Sequence, residues 1–144
     1  ALLPIFQLLG INYTDKKIIS QYIDDDKMFD GFTKIDFIYP DSVASIKVAK
    51  TAKSEGELII TGTKGYIYVP APWWKTDYFE IRYEDPTENK RYFYKLDGEG
   101  IRYEIVAFNR SIESGKNYSY IDSKISIAIS EIIEACKSNN VIEI

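Results

Sequence analysis

The sequence predicts an α+β fold, namely an open, mainly antiparallel sheet of about six to seven strands with helices packed on one face. Three observations lead to this prediction. Apolar and polar residues alternate in seven short segments between residues 16 and 96, as they do in half-buried strands. After residue 100 the apolar spacing becomes that of amphipathic helices. The connections between strands are short, which favours antiparallel pairing, and strands followed by helices are typical of an α+β layer.

The first ten residues, ALLPIFQLLG, predict the last turns of an apolar helix that stops at Gly10, because glycine commonly follows a helix C-terminus. Three strands are predicted next, in the segments KKIISQYIDDD, FTKIDFIYP and SVASIKVAK. In the second segment Ile35 and Phe37 fall on one face, while Lys34 and Asp36 fall on the other. This alternation is typical of a strand with one buried face.

The segments GELIITG and GYIYVP predict a hairpin that turns at residues 63–64. TDYFEIRYE and RYFYKL predict two further strands, separated by the loop DPTEN. Apolar residues spaced at i, i+4, i+7 and i+11 predict a helix over residues 101–115. A second helix is expected to begin after a cap at Asp122 or Ser123, and residues 141–144 predict a short final strand.

Size and charge limit the classes of function. The chain has 144 residues, the size of one domain, and its net charge is −4. Because its basic residues are scattered among more numerous acidic ones, we expect neither nucleic acid nor an anionic membrane surface as a partner. No apolar run approaches the about 20 residues of a membrane span, and no secretion signal is recognisable. A cytoplasmic location is the default expectation.

Two residue types restrict the chemistry further. Cys136 is the single cysteine, so no disulfide can form within the chain, which fits a reducing compartment. The sequence contains no histidine, which excludes Ser-His and Cys-His dyads and His-ligated metal sites within these residues. The sequence also begins at Ala1 inside an apolar helical pattern, so we expect it to be cut from a longer polypeptide.

The segment YVPAPWWK, residues 68–75, contains both tryptophans of the chain in adjacent positions. Neighbouring side chains of an extended backbone point to opposite faces, so one core cannot easily take both rings. Two interpretations remain open. One ring could cover the sheet edge and the other a surface groove, or both could form the aromatic wall of a ligand site, since tryptophan stacks on the apolar faces of sugar rings.

Three shorter motifs are interpreted as structural. Gly98 and Gly100 form a G-x-G, but Tyr103 occupies the place of the third glycine of a dinucleotide fingerprint and no parallel βαβ unit is predicted. The G-x-x-G of residues 62–65 lies between strands, where a hairpin turn is expected. Three adjacent carboxylates at residues 24–26 cannot all face one cation, so a solvated strand end is expected there.

Three patterns nonetheless resemble a known family. They are Glu57-Leu58-x-Ile60-x-Gly62-x-x-Gly65 in the central hairpin, Gly100-x-x-Tyr103-Glu104 before an apolar helix that ends at Gly115-Lys116, and the helix ALLPIFQLLG. Together they resemble the C-terminal domain of the glucose-fructose oxidoreductase, inositol dehydrogenase and rhizopine-catabolism (Gfo/Idh/MocA) family, in order along nearly the whole chain.

The resemblance implies that residues 1–144 form a single substrate-binding and oligomerisation domain of an NAD(P)-dependent oxidoreductase acting on a sugar, polyol or related diol. It implies that a Rossmann domain, the NAD or NADP site and the catalytic lysine lie outside this chain. The chain alone would then be inactive and would bind no cofactor. Homo-oligomers, most simply dimers, would form through the open sheet face.

The resemblance further implies that Trp73, Trp74, Lys75 and Asp97 line the substrate side of the active site. Their role would be to position the substrate and exclude water rather than to move protons. No catalytic or metal-binding residue is expected in the chain. A non-catalytic α+β dimerisation or ligand-binding module is the alternative interpretation.

Overall fold

The computed structural model describes residues 1–26, 29–137 and 141–144. In chain order, its elements are α1 (Leu2–Leu9), β1 (Asp15–Tyr22), β2 (Asp30–Ile38), β3 (Val43–Ala49), β4 (Leu58–Gly62), β5 (Gly65–Val69), β6 (Tyr78–Tyr83), β7 (Lys90–Phe93), α2 (Ile101–Ser114), α3 (Ser123–Ala135) and β8 (Val141–Glu143). Every predicted helix and strand is therefore present. The chain divides into two compact units. Unit 1 comprises Ala1–Ser54 and Tyr120–Ile144, and unit 2 comprises Glu55–Ser119.

Unit 1 is a four-stranded sheet in the order β3-β2-β1-β8, with β8 parallel to β1 and the other pairs antiparallel. One face of the sheet carries α1 and α3. The core lies between them and consists of the apolar residues that the two layers share, namely Ile5, Phe6, Ile18, Ile35, Phe37, Tyr39, Ala128 and Ile132. The predicted alternation in β2 is confirmed, because Ile35 and Phe37 are buried while Lys34 and Asp36 form an ion pair at 2.7 Å on the opposite face.

Unit 2 is an antiparallel meander of four strands in the order β4-β5-β6-β7. The hairpin turn at residues 63–64 is confirmed. Gly65 begins β5 so close to the neighbouring strand that a Cβ atom there would lie 2.4 Å from the carbonyl oxygen of Arg82. Glycine is therefore required at this position for β5 to pair with β6.

The prediction of one sheet with six to seven strands is wrong, because the strands form two sheets of four. The pattern of alternation identified the strands but carried no information about which strands pair. After β3 the chain passes through KTAKSEGE, residues 50–57, which contributes to no strand, and β4 then pairs only with β5. β8 pairs with the free edge of β1, so the first sheet consists of β3, β2, β1 and β8 and the second of β4 to β7.

Three helix ends lie where the sequence predicts them: the C-termini of α1 and α2 and the N-terminus of α3. Gly10 follows α1 with a positive φ of 79°, and Gly115 follows α2 with a φ of 66°. Asp122 caps α3, since its side chain accepts a hydrogen bond from the backbone nitrogen of Lys124 at 2.9 Å. This confirms the first of the two predicted cap residues.

The expectation that all helices pack on a sheet face is met for α1 and α3 but not for α2. The apolar stripe of α2 stays more than half exposed along its length, at Ile101, Ile105, Phe108 and Ile112. Among the described side chains of unit 2, none belongs to the buried core. The amphipathic pattern therefore predicted the helix correctly, but its apolar stripe stays exposed among the described residues.

Candidate functional site

The tryptophan loop, residues 70–77, connects β5 to β6 in unit 2. The rings of Trp73 and Trp74 pack edge to face, with centroids 5.8 Å apart and planes at 86°. The backbone nitrogen of Trp73 donates to the carbonyl oxygen of Gly56 at 3.0 Å, and that of Lys75 donates to Pro72 at 2.9 Å. These bonds hold the loop close to the start of β4, so the two rings are presented on a fixed backbone.

The two rings differ in exposure. Trp73 is half-buried, whereas the side chain of Trp74 is 58% exposed. The first ring therefore supports the second, which offers an aromatic surface to solvent. Lys75 follows directly and is also exposed.

Asp97 lies at the start of the short 3-10 turn Asp97–Gly100, which links β7 to α2. Because Tyr78, the first residue of β6, pairs with Phe93, the last residue of β7, the tryptophan loop and this link leave the same end of the sheet. The backbone nitrogen of Tyr94 donates to the carbonyl oxygen of Asp77 at 2.6 Å and joins the two segments. Within the described residues, no hydrogen bond joins Asp97 to either tryptophan.

A second polar feature of unit 2 lies on one face of its sheet. Cross-strand pairing places Tyr66 beside Arg82, Tyr68 beside Glu80 and Glu80 beside Arg91. We call this group the arginine–tyrosine surface, and it consists of Tyr66, Tyr68, Tyr78, Glu80, Arg82 and Arg91. The sequence patterns did not reveal it, because its six residues are divided among three strands and only the register brings them together.

Glu80 is the centre of the arginine–tyrosine surface. Its Oε2 accepts from Arg82 Nε at 2.6 Å and its Oε1 accepts from Arg91 Nε at 2.8 Å. The two guanidinium groups hold the pKa of Glu80 below its usual range. The pKa of Arg82 lies above its usual range because of its hydrogen bonds with Tyr66 and Glu80.

The guanidinium groups also lie over aromatic rings. Arg82 is 4.2 Å from the ring centroid of Tyr68, and Arg91 is 4.8 Å from that of Tyr78. An open cavity of about 540 Å³ adjoins them, lined by Glu80, Arg82, Asn89, Lys90 and Arg91. Three cationic side chains and one carboxylate line this cavity, which makes it locally positive in an acidic chain.

The G-x-G motif of residues 98–100 does not lie in the setting of a dinucleotide fingerprint. The G-x-G of Gly98 and Gly100 lies in a 3-10 turn between β7 and α2, and β7 pairs antiparallel with β6. A dinucleotide fingerprint instead needs the strand, turn and helix of a parallel βαβ unit. The interpretation of this motif as a loop is therefore consistent with its place in the fold.

The described residues offer neither a metal site nor a membrane span. In the part of the chain that the structure describes, no group of three or more Asp, Glu or Cys side chains is arranged to hold a metal ion. None of the described helices is long and apolar enough to cross a membrane.

Comparisons with known proteins give a result only at the level of structure. No protein-family model matches the sequence. No curated protein sequence matches it either. Among solved structures, KijD10, a 3-ketoreductase from Actinomadura kijaniata solved with NADP and TDP-benzene, matches 99% of this chain with a TM-score of 0.78 and 11% identity. The chain has the fold of one part of such oxidoreductases.

A second solved oxidoreductase structure also matches the fold of this chain. An oxidoreductase from Agrobacterium radiobacter, solved with NAD⁺, L-tartaric acid and magnesium, matches 94% of the chain with a TM-score of 0.70 and 12% identity. The chain spans less than half of the length of these proteins, 44% and 43% respectively. The resemblance to the oxidoreductases inferred from the sequence patterns is thereby confirmed as a resemblance of fold.

Proposed function

We propose that this chain is the substrate-side and oligomerisation domain of an NAD(P)-dependent oxidoreductase that acts on a sugar, polyol or related diol. The observation that carries the proposal is the match of 99% of the chain to 44% of a 3-ketoreductase that binds NADP. In this proposal residues 1–144 act as one domain, and another part of the parent protein holds NAD or NADP and the proton-transfer groups. The lack of a parallel βαβ unit at Gly98 supports this division.

The tryptophan loop is the proposed substrate wall. Trp74 offers an exposed ring that Trp73 supports from behind, and such a ring packs well against the apolar face of a sugar. Lys75 follows Trp74, and Asp97 leaves the same end of the sheet, so both could supply polar contacts to hydroxyl groups. All four residues would position the substrate and would transfer no proton.

The test is Trp74→Ala in the full-length parent enzyme. We expect kcat/KM to fall by about tenfold to a hundredfold, since misplacing a substrate costs rate even when the reacting groups are intact. Tyr120→Ala is the matched control, because Tyr120 is an exposed aromatic residue of unit 1. Unchanged kcat/KM across a panel of sugars and polyols would remove the tryptophan loop from the substrate site.

The proposed self-association uses the open face of the sheet in unit 2. The arginine–tyrosine surface is accompanied there by the exposed apolar side chains of Ile59 and Phe93. Tyrosine and arginine together with exposed apolar residues are the composition of a protein interface. The partner we propose is a second copy of the chain.

Light scattering tests the dimer. We expect a dimer at micromolar concentrations, and Ile59→Lys should shift it to monomer, since the new charge would be buried in the interface. Val43→Lys is the control, because Val43 is an equally apolar, exposed strand residue of unit 1. A wild-type protein that is monomeric throughout the micromolar range would contradict the proposal.

The alternative, a non-catalytic binding or dimerisation module, makes different predictions. For the oxidoreductase, the coding sequence upstream of Ala1 should encode a glycine-fingerprinted βαβ unit. The 144-residue chain alone should show no dehydrogenase activity and no NAD-induced thermal shift. A cytoplasmic location, and the absence of nucleic acid or membrane partners, stay predictions.

A further inference from the structure

Unit 1 contains an irregularity in the pairing of β1 with β2. Gln21 pairs with Phe32, but the next residue, Tyr22, pairs with Asp30, so Gly31 is an extra residue in β2. Such a β-bulge redirects the side chains that follow it, and bulges are frequent beside functional sites. The residue that follows β3 holds the bulge in place, because the carbonyl oxygen of Gly31 accepts from the backbone nitrogen of Lys50 at 2.7 Å.

The bulge decides which face receives Asp30. Under strict alternation Asp30 would share the solvent face of Lys34 and Asp36. The shift instead places Asp30 opposite Tyr22, in line with the buried residue Ser20, on the face that the helices cover. A carboxylate is thereby turned toward the apolar interior of unit 1.

A chain of hydroxyl groups leads to this carboxylate. Thr33 Oγ1 donates to Asp30 Oδ2 at 2.8 Å, and the hydroxyl oxygens of Ser20 and Thr33 lie 2.9 Å apart. Since the Thr33 proton is committed to Asp30, Ser20 must be the donor in the second bond. Both hydroxyl protons are therefore used in hydrogen bonds within the chain. Asp30 and Thr33 can still accept hydrogen bonds from a ligand through their free lone pairs.

Asp30 and Thr33 line a cavity of about 910 Å³ between α1, α3 and the sheet. Its base includes Ile35 and Ile132, which are buried, and its mouth includes Val48 and Ile133, which are about half exposed. The size is that of a small-molecule site, and mostly apolar walls with a few convergent polar groups are the usual composition of such a site.

The charges around the cavity select the kind of ligand. Of its other charged residues, Glu143 is acidic, and Lys137 is paired with Glu134 at 3.7 Å. Burial, followed by the nearby Asp30 carboxylate, raises the pKa of the Cys136 thiol, so the thiol stays protonated and uncharged at neutral pH. Among the described lining residues the cationic side chain is Lys137, which is 72% exposed and forms no ion pair with Asp30, so Asp30 faces a mostly apolar cavity.

We propose that this cavity binds a small amphiphilic amine, with its ammonium group at the Asp30 carboxylate and its aliphatic or aromatic body between α3 and the sheet. The ammonium group supplies the positive charge and donors that the acceptors at the base require, and the apolar walls take the body. The site lies wholly within unit 1 and is independent of the proposed oxidoreductase function.

The test is calorimetric titration of the full-length protein with octylamine, and with octanoate as the oppositely charged probe of equal chain length. We expect octylamine to bind and octanoate to bind at least about tenfold more weakly, since a charged hydrogen bond is worth about that factor or more. Asp30→Asn keeps an acceptor for Thr33 but removes the charge, and should weaken octylamine by a similar factor. Isoleucine methyl NMR should place the probe at Ile35 and Ile46.

Asp36→Asn is the matched control, because Asp36 lies on the opposite face of the same strand and pairs with Lys34. It should leave octylamine binding unchanged. Val48→Trp, at the mouth, should block the cavity and abolish binding, which keeps the test decisive if Asp30→Asn does not fold. No octylamine binding, equal binding of octanoate, full binding by Asp30→Asn, or a cavity filled by another protein segment would each overturn the proposal.

Discussion

Phe6 of α1 and Phe37 of β2 pack edge to face in the centre of unit 1, with ring centroids 5.5 Å apart and planes at 73°. Both side chains are almost completely buried. Tyr13 joins them, with its ring centroid 5.2 Å from that of Phe37. This aromatic cluster connects the helical layer to the sheet, so the stability of unit 1 should depend on it.

Phe37→Ala should lower the free energy of unfolding by about 3–5 kcal/mol, because it leaves a cavity at the contact between helix and sheet. Urea denaturation monitored by circular dichroism measures the loss. Phe108→Ala in α2 removes the same atoms from a side chain that is 63% exposed, and should change stability by less than about 0.5 kcal/mol. Equal losses for the two variants would contradict the placement of the core in unit 1.

The buried hydroxyl chain gives a second prediction. Ser20→Ala removes only a donor to Thr33 and should cost about 1 kcal/mol of stability. Thr33→Val should cost more, about 2–3 kcal/mol, because it leaves the buried hydroxyl of Ser20 without its acceptor and Asp30 without its donor.

The double variant tests the coupling of Ser20 and Thr33. Thr33→Val leaves the Ser20 hydroxyl group without a hydrogen-bond partner, and Ser20→Ala removes that hydroxyl group. The loss of stability in the double variant should therefore be smaller than the sum of the losses in the two single variants. Thermal unfolding of all four proteins under one set of conditions gives the interaction energy. Simple additivity would show that the two hydroxyl groups act independently.

Gly31→Ala tests the bulge. A Cβ atom at Gly31 would lie 2.9 Å from both Ile23 Cγ1 and Thr51 Cγ2, so neighbouring side chains must shift. The expected cost is about 1–3 kcal/mol of stability, the range for overpacking. Gly62→Ala, where the nearest atom would be a carbonyl oxygen at 3.4 Å, is the control and should cost less. A neutral Gly31→Ala would mean that the bulge tolerates a side chain.

The arginine–tyrosine surface makes the stability of unit 2 depend on pH. The pKa of Glu80 is lower in the folded chain, so its contribution is present above its unfolded pKa of about 4.3. That contribution should be lost as the pH falls through the lower folded-state value. Glu80→Gln should therefore lower the melting temperature at pH 7 and flatten its decline below pH 5. Glu88→Gln, at an exposed site, is the control, and identical pH profiles for both variants would contradict the role of Glu80.

The ends of the helices and strands followed directly from the sequence. Gly10 and Gly115 end helices, Asp122 caps one, and the turn at residues 63–64 closes a hairpin. Each of these features depends on the conformational preference of one residue or on a hydrogen bond to a near neighbour, so a local sequence pattern is sufficient to predict it.

The candidate sites could be predicted only in part from local sequence patterns. The adjacent tryptophans were noticed because two large aromatic residues cannot both enter one core from a strand. The group around Glu80 and the carboxylate at Asp30 were not recognised, because the first needs the register of three strands and the second needs a shift of one residue in pairing.

The sequence by itself determined the approximate position of each helix and strand and which face of most strands is apolar. Tertiary structure alone decided that the strands form two sheets of four, that the apolar stripe of α2 stays exposed, and that Asp30 turns inward. The physical reason is the range of the interactions. Periodicity and capping act within a few residues, whereas strand pairing and burial depend on segments that are distant in the chain, and a one-residue change in register moves a side chain to the other face.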